Sequence, residues 1–325
     1  MEIVERQHFQ RTIVGETTSA MKLATIASAP GRSAVAAIVG EKVVDLTPAL
    51  EKAGRSWKNL SEVFDDGGLP VVTGLASWAA DNAAKGSAIE ATTFLAPLPR
   101  PWRIVAVAAN YKAHVVETKV IEVAEREESS PWFFDKPLIS LNPHKAPIRL
   151  PASLATSVDW EGELCVVIGK KAHRVPVEEA LGYVAAYTAA NDISARAMDV
   201  TGRTKLRDRD KFHDWLHGKW FDTFCCVGPW IVTADEIPDP SKLTIDLSVN
   251  GQRYQHASTG EMIFKIAELI SFASHISTLS PGDLMLTGTP NGVGKASGRF
   301  LTPGDIVSLS ITGIGTLTNP VVANA

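Results

Sequence analysis

The chain of 325 residues is poor in cysteine, balanced in charge and free of long apolar runs. Its three cysteines, Cys165, Cys225 and Cys226, form no CxxC pair. That removes the usual zinc and dithiol signatures, and three is not a disulfide framework. They read as small buried hydrophobes, suited to a reducing cytoplasm. The 32 Lys and Arg fall short of the 36 Asp and Glu, for a formal net charge of −4, so no basic footprint points to nucleic acid. No apolar stretch approaches the roughly 18 residues of a membrane helix. The opening MEIVERQHFQRTIVGETTSA carries acids and polar groups in place of the apolar core of a signal peptide. Neither GxGxxG nor a P-loop occurs, which removes the commonest nucleotide-binding readings.

What is present is ordinary globular material, 45% hydrophobic and 21% charged. Residues 1–20 read as a tail. MKLATIA, SAVAAIVG and KVVDL read as short strands, the last two joined by a tight turn at Gly40 and Glu41. TGLASWAADNAAKG reads as a helix capped by Thr73 and closed by Gly86. The proline-rich APLPRPW, Ala96 to Trp102, marks the end of a small N-terminal domain over 21–100. The larger domain, 101–325, is strand-rich. Ile104–Ala108, Val158–Ile168, Val184–Ala190 and Phe224–Val232 suit buried strands, and Asn250-Gly251 is a strong hairpin signal. MIFKIAELISFASHI spaces apolar residues along one helical face. Two Pro-Gly-Asp turns, in SPGDLMLTG and TPGDIVSLSITG, each feed a strand. The expectation is an α+β, mainly β fold, a barrel-like or sandwich-like roll, not a doubly wound sheet.

Chemistry concentrates in five short stretches. In VDWEGELCVVIGK, Glu161 and Glu163 open an apolar strand whose two faces are both hydrophobic. Side chains two apart on a strand share a face, so two carboxylates would crowd the mouth of a core. Solvent at a strand end is one answer; a hard divalent cation bridging the acids is the other. In AANDISAR, Asp192 ends another apolar run, as a turn residue or as a third oxygen ligand. Three carboxylates without a cysteine or a histidine pair favour Mg²⁺, Mn²⁺ or Ca²⁺ over zinc. In ANYKAHVVET, His114 and Glu117 share a helical face, either as a surface pair or as a dyad that activates water. Lys219 in HGKWFDTF snorkels to the surface or steadies an oxyanion, and Arg196 could clamp a carboxylate. LTGTPNGVG, with Thr289, is a plain turn or a backbone nest for an anion.

Taken in order, these motifs resemble the fumarylacetoacetate hydrolase family over roughly Arg103 to Val322. The segment from Met21 to about Arg100 is similar to the small N-terminal domain that many members carry. The resemblance implies a mixed β-roll core and a homodimer. It implies Mg²⁺, or Mn²⁺ or Ca²⁺, on Glu161, Glu163 and Asp192. It implies a lid on which His114 and Glu117 orient a water, catalysis by Lys219, and substrate contacts from Tyr111, Arg196 and Thr289. The implied activity is cytoplasmic hydrolysis of a C–C bond in a 2,4-dioxo acid such as an acylpyruvate. Alternatives on the same fold are 2-oxo acid decarboxylation, 2-hydroxydienoate isomerisation or hydration, and non-catalytic binding of a 2-oxo acid. Two departures stand out. SARAMDV places Ala197 and Asp199 where members often have an acid and then a glutamine, and the charged segment Thr201 to His217 is long and reads as a solvated loop.

Overall fold

The computed structural model describes residues 21–119, 128–152, 155–198 and 203–323. The N-terminal tail 1–20, Asp199 and the first residues of the charged segment lie outside the described residues.

Strands dominate because the apolar runs are short, β-branched and bounded by turn residues. The largest sheet runs in the order Ser87–Ala88, Lys42–Asp45, Arg32–Val39, Lys22–Ala29, Cys225–Thr233, Val184–Asp192, Gly162–Ile168, Leu284–Leu286, Ile104–Ala108 and Trp132–Asp135. Its N-terminal strands continue the sheet of the rest of the chain, with Leu23 opposite Ile231. A five-stranded sheet is ordered Gln252–Ser258, Thr244–Val249, Ile306–Ile311, Gly315–Ala323 and Ile148–Leu150. Asn250 and Gly251 both take positive φ, as the two-residue hairpin turn requires. Helices are short; the longest described one, Ile266–Ile276, buries Ile266, Leu269, Ile270 and Ala273 as its periodicity predicts. The architecture is mixed α+β and mainly β.

The strand Gly162–Ile168 is buried throughout. Leu164, Val166 and Ile168 enter one apolar core, while Cys165 and Val167 enter another on the opposite face. This explains a strand with no polar alternation after its glutamates.

Three expectations are corrected. The run Val158–Ile168 is not one strand: Ala155–Asp159 pairs with Ser194–Met198 in a separate two-stranded sheet, and Gly162–Ile168 belongs to the large one. The break falls at Trp160, whose fully buried indole donates to the Gly292 carbonyl and stacks near Tyr254. Burying that ring swings the chain between sheets. The single helix expected from Thr73 to Gly86 is two pieces, Ala76–Asp81 and a 3-10 turn Ala83–Lys85, and Thr73 is instead the last residue of a preceding helix, Leu69–Thr73. Thr73 does not cap, because its hydroxyl bonds back to the Leu69 and Pro70 carbonyls. The charged segment ends in a helix, Asp210–His217, rather than continuing as a loop. Trp215 packs that helix against Phe134, while Phe212 is exposed and Asp214 pairs with Arg203.

Truncating the double-sided strand should be costly. Leu164→Ala is expected to lose about 2–5 kcal/mol of unfolding free energy, measured by urea denaturation. A loss below about 1 kcal/mol would show that this face is not packed as described.

Candidate active site

The site is built where the large sheet meets the two-stranded one. Gly162 pairs with Asn191 and Glu163 with Ala190, which brings the two strand ends side by side. Two further bonds tie the crossing point: Asp192 N–H donates to the Glu161 carbonyl (2.9 Å), and Glu161 N–H donates to Asn191 Oδ1 (2.9 Å). Glu161, Glu163 and Asp192 therefore converge although Glu161 precedes the strand that carries Glu163. Each offers an oxygen within 4.8 Å of the others, and all three are buried.

Basic groups surround two of the three. Lys219 Nζ donates to Glu161 Oε2 (2.5 Å) and to Asp192 Oδ2 (2.8 Å). Arg196 reaches Glu161 Oε1 through Nη2 (2.6 Å) and Asp159 Oδ2 through Nε (2.8 Å). Lys136, its side chain wholly buried, pairs with Asp192 Oδ1 and donates to the Lys219 carbonyl (2.7 Å). Burial alone would raise the Glu161 carboxyl, but Lys219, Arg196 and His114 outweigh it and hold it well below the usual range. Glu163 goes the other way. Burial raises it far above its ordinary value, and Asp192 and Glu161 add to the effect. Its one bond is from Gly288 N–H to Oε2 (2.7 Å), and among the described residues no basic side chain pairs with it directly. Gly288 can serve there because its φ is +92°, and a β-carbon would press on that of Asn110.

A buried carboxylate with like charges beside it and no cation in contact fits a hard divalent ion. Three oxygen donors within reach of one another make the set suitable for Mg²⁺, Mn²⁺ or Ca²⁺. The carboxylates would hold such an ion, and it would supply electrophilic assistance to a bound carbonyl or carboxylate oxygen.

The segment expected to be a lid is a helix, Lys112–Thr118, that follows the buried strand Ile104–Ala108. His114 Nδ1 lies 3.4 Å from Glu117 Oε1. Glu117 has a second set of partners: its carboxylate accepts the Gly292 N–H (2.9 and 3.0 Å) and the Val293 N–H (3.4 Å). The nest foreseen in GTPNGVG thus holds an anion, and the anion is the chain's own. Only glycine fits at 292, since φ is +96° and a β-carbon would collide with the Tyr254 carbonyl. Thr289 is turned inward. Its hydroxyl donates to the Gly162 carbonyl (3.0 Å) and accepts from Gln255 Nε2 (2.8 Å). The Tyr111 hydroxyl is buried with no hydrogen-bond partner among the described residues, and burial, Glu163 and Glu261 push its pKa up.

Lys136 and Asp159 were not foreseen. Lys136 in FFDKP directly follows the strand Trp132–Asp135 and looks like any residue at a strand end. Asp159 fixes Arg196 while accepting the Gly294 (2.6 Å) and Lys295 (3.0 Å) N–H groups. The clue was its place two residues before Glu161, in an apolar context.

The fold is mainly β, and its buried acid cluster could hold a divalent metal ion. A family model, fumarylacetoacetate hydrolase C-terminal, matches residues 103–322, and the chain belongs to that family. An oxaloacetate tautomerase (fahd2, mitochondrial) of Xenopus laevis is 41% identical over 232 residues, 71% of this chain and 68% of that protein. A 2,4-didehydro-3-deoxy-L-rhamnonate hydrolase of Sphingomonas is 43% identical over 217 residues, 66% of this chain and 71% of that one. Among solved structures, maleylpyruvate hydrolase of Sphingobium with manganese and pyruvate superposes with a TM-score of 0.71 at 27% identity, covering 94% of this chain and all of that one. A 2-hydroxyhepta-2,4-diene-1,7-dioate isomerase of Mycobacterium marinum gives 0.65 at 33%, over 94% of this chain and 99% of that one. Among the described residues no helix is long and apolar enough to cross a membrane.

Calorimetric titration with Mn²⁺ should show one site per chain, and Glu163→Ala should abolish it. Unchanged binding in that variant would dissolve the cluster as a metal site.

Proposed function

We propose that the chain hydrolyses a C–C bond in a 2,4-dioxo acid of the acylpyruvate type, with Mg²⁺ or Mn²⁺ on Glu161, Glu163 and Asp192. The observation that carries this reading is the pair His114–Glu117, held beside the acid cluster by the bonds from Gly292 and Val293. Enolisation alone needs a proton carrier; hydrolysis needs a positioned base for water, and this pair supplies one. The ion would polarise the 2-oxo group and stabilise the negative charge released on C3.

The residues then divide the work. His114 takes a proton from water as the water oxygen attacks the C4 carbonyl. Glu117 fixes the imidazole and stabilises it once charged. Lys219, with its pKa raised because Asp192 and Glu161 outweigh the burial penalty, keeps its ammonium and faces the developing oxyanion. The C3–C4 bond breaks, its electron pair passes into the three-carbon enolate, and the proton held by His114 is available to C3. Water and the dioxo acid yield a carboxylic acid and pyruvate, so atoms balance. Arg196, held by Asp159 and Glu161, would meet the substrate carboxylate through its remaining N–H groups. A cytoplasmic homodimer is the proposed setting.

The likeness to oxaloacetate tautomerases favours a second reading in which enolisation is the whole reaction. The two separate by product. With acylpyruvate and Mn²⁺, hydrolysis releases two acids, whereas tautomerisation conserves mass. His114→Ala should lose about 10²–10⁴-fold in turnover with Mn²⁺ affinity within threefold of the parent. A His114→Ala protein that hydrolyses acylpyruvates at the parent rate would overturn this mechanism.

A further inference from the structure

The two buried lysines of the site are not equivalent. Lys136 Nζ is bound on one side by Asp192 Oδ1 and on the other by the main-chain carbonyl of Lys219, and its side chain has no exposed surface. A main-chain carbonyl has no charge to lose and no second function, so Lys136 is fixed in place. Lys219 Nζ has a different set of neighbours. It donates to two of the three clustered acids, Glu161 and Asp192, and to no main-chain group among its described bonds. Above it stand two aromatic rings, Phe134 with its centroid 5.3 Å away and Trp215 at 5.8 Å. The rings are themselves packed edge to face, with centroids 5.1 Å apart. They form a second surface on which an ammonium can rest, because the face of an aromatic ring attracts a cation at this range.

The oxygen inventory makes the consequence concrete. Asp192 spends Oδ1 on Lys136 and Oδ2 on Lys219. Glu161 spends Oε1 on Arg196 and Oε2 on Lys219. Glu163 spends Oε2 on the Gly288 amide. Among the described residues Lys219 is thus the one cation that bonds to two of the three acids, and it does so through one oxygen of each. Arg196 and Lys136 are each anchored by a further acceptor outside the cluster, Asp159 for the one and the Lys219 carbonyl for the other. If one group is to yield oxygens to an incoming ion, Lys219 is the one with the least holding it elsewhere.

We infer that Lys219 is a place-holder for the divalent ion: its ammonium holds the Glu161 and Asp192 oxygens until the ion takes them, and then turns toward Phe134 and Trp215. This rests on the reading of Glu161, Glu163 and Asp192 as the metal ligands. It assigns Lys219 a positioning step before any chemistry. The lysine that faces the substrate would be delivered there by metal binding, so an unmetallated site would have its oxyanion-stabilising group withdrawn into ion pairs.

The test is a comparison of Mn²⁺ affinities by calorimetry for the parent protein and Lys219→Met. Methionine keeps the length and the contact with the rings but cannot compete for the carboxylates. A place-holder predicts at least tenfold tighter Mn²⁺ binding in Lys219→Met. A purely structural lysine predicts the reverse, because the acids would lose their organiser; equal or weaker binding overturns the inference. Should the variant not fold, the parent protein answers alone. In a ¹⁵N-lysine ammonium spectrum, Mg²⁺ should shift the Lys219 resonance by more than that of Lys136, and a shift of Lys136 as large as that of Lys219 would overturn the inference. Both resonances unmoved at saturating Mg²⁺ would overturn the inference while leaving the metal site standing. No Mg²⁺ or Mn²⁺ binding by the parent protein would instead remove the functional reading itself.

Discussion

Everything in the site follows from burying carboxylates at the junction of two sheets. Glu161, Glu163 and Asp192 sit within 4.8 Å of one another, away from solvent. Two like charges at 4 Å repel by about 4 kcal/mol even at an effective dielectric constant near 20. A fold that is stable by about 5–15 kcal/mol cannot carry several such terms uncompensated. The chain answers with the buried Lys136 and Lys219 and the partly buried Arg196, each aimed at one or two acids. The compensation is uneven. Glu161 is held ionised and Glu163 is pushed toward its protonated form, and that asymmetry marks Glu163 as the acid without a paired cation among the described residues.

The scaffold supplies the rigidity this demands. A strand buried on both faces cannot slide, because a one-residue slip would exchange its two cores. Glu163 on that strand and Asp192 at the end of its neighbour are therefore fixed relative to each other. The helix carrying His114 is attached by a short bridge at Tyr111, by the buried Val115 and by the Glu117 carboxylate on the 292–293 backbone.

Local patterning made much of this legible. The hairpin at Asn250-Gly251, the Pro-Gly-Asp turns, the helix Ile266–Ile276 and the placement of Glu163 and Asp192 follow from periodicity and turn chemistry. The ordered motifs then made the family plain. What escaped depends on distant partners. Nothing near Trp160 announces that its indole will bond to Gly292 and split one apolar run into two strands. Lys136 has no local signature, since its meaning comes from Asp192, 56 residues on. Glu117 pairs with a backbone 175 residues away, so its role as the anchor of the helix could not be read beside its role toward His114. Thr289 offered a hydroxyl in the sequence, but Gln255 and Gly162 consume it.

The central claim is that the acid cluster exists to hold one divalent ion. Anomalous diffraction at the manganese edge from crystals soaked in Mn²⁺ tests it directly. The account predicts a single strong peak per chain among the carboxylates of Glu161, Glu163 and Asp192. A well-ordered cluster without a peak, or manganese held only at other carboxylates, would contradict it.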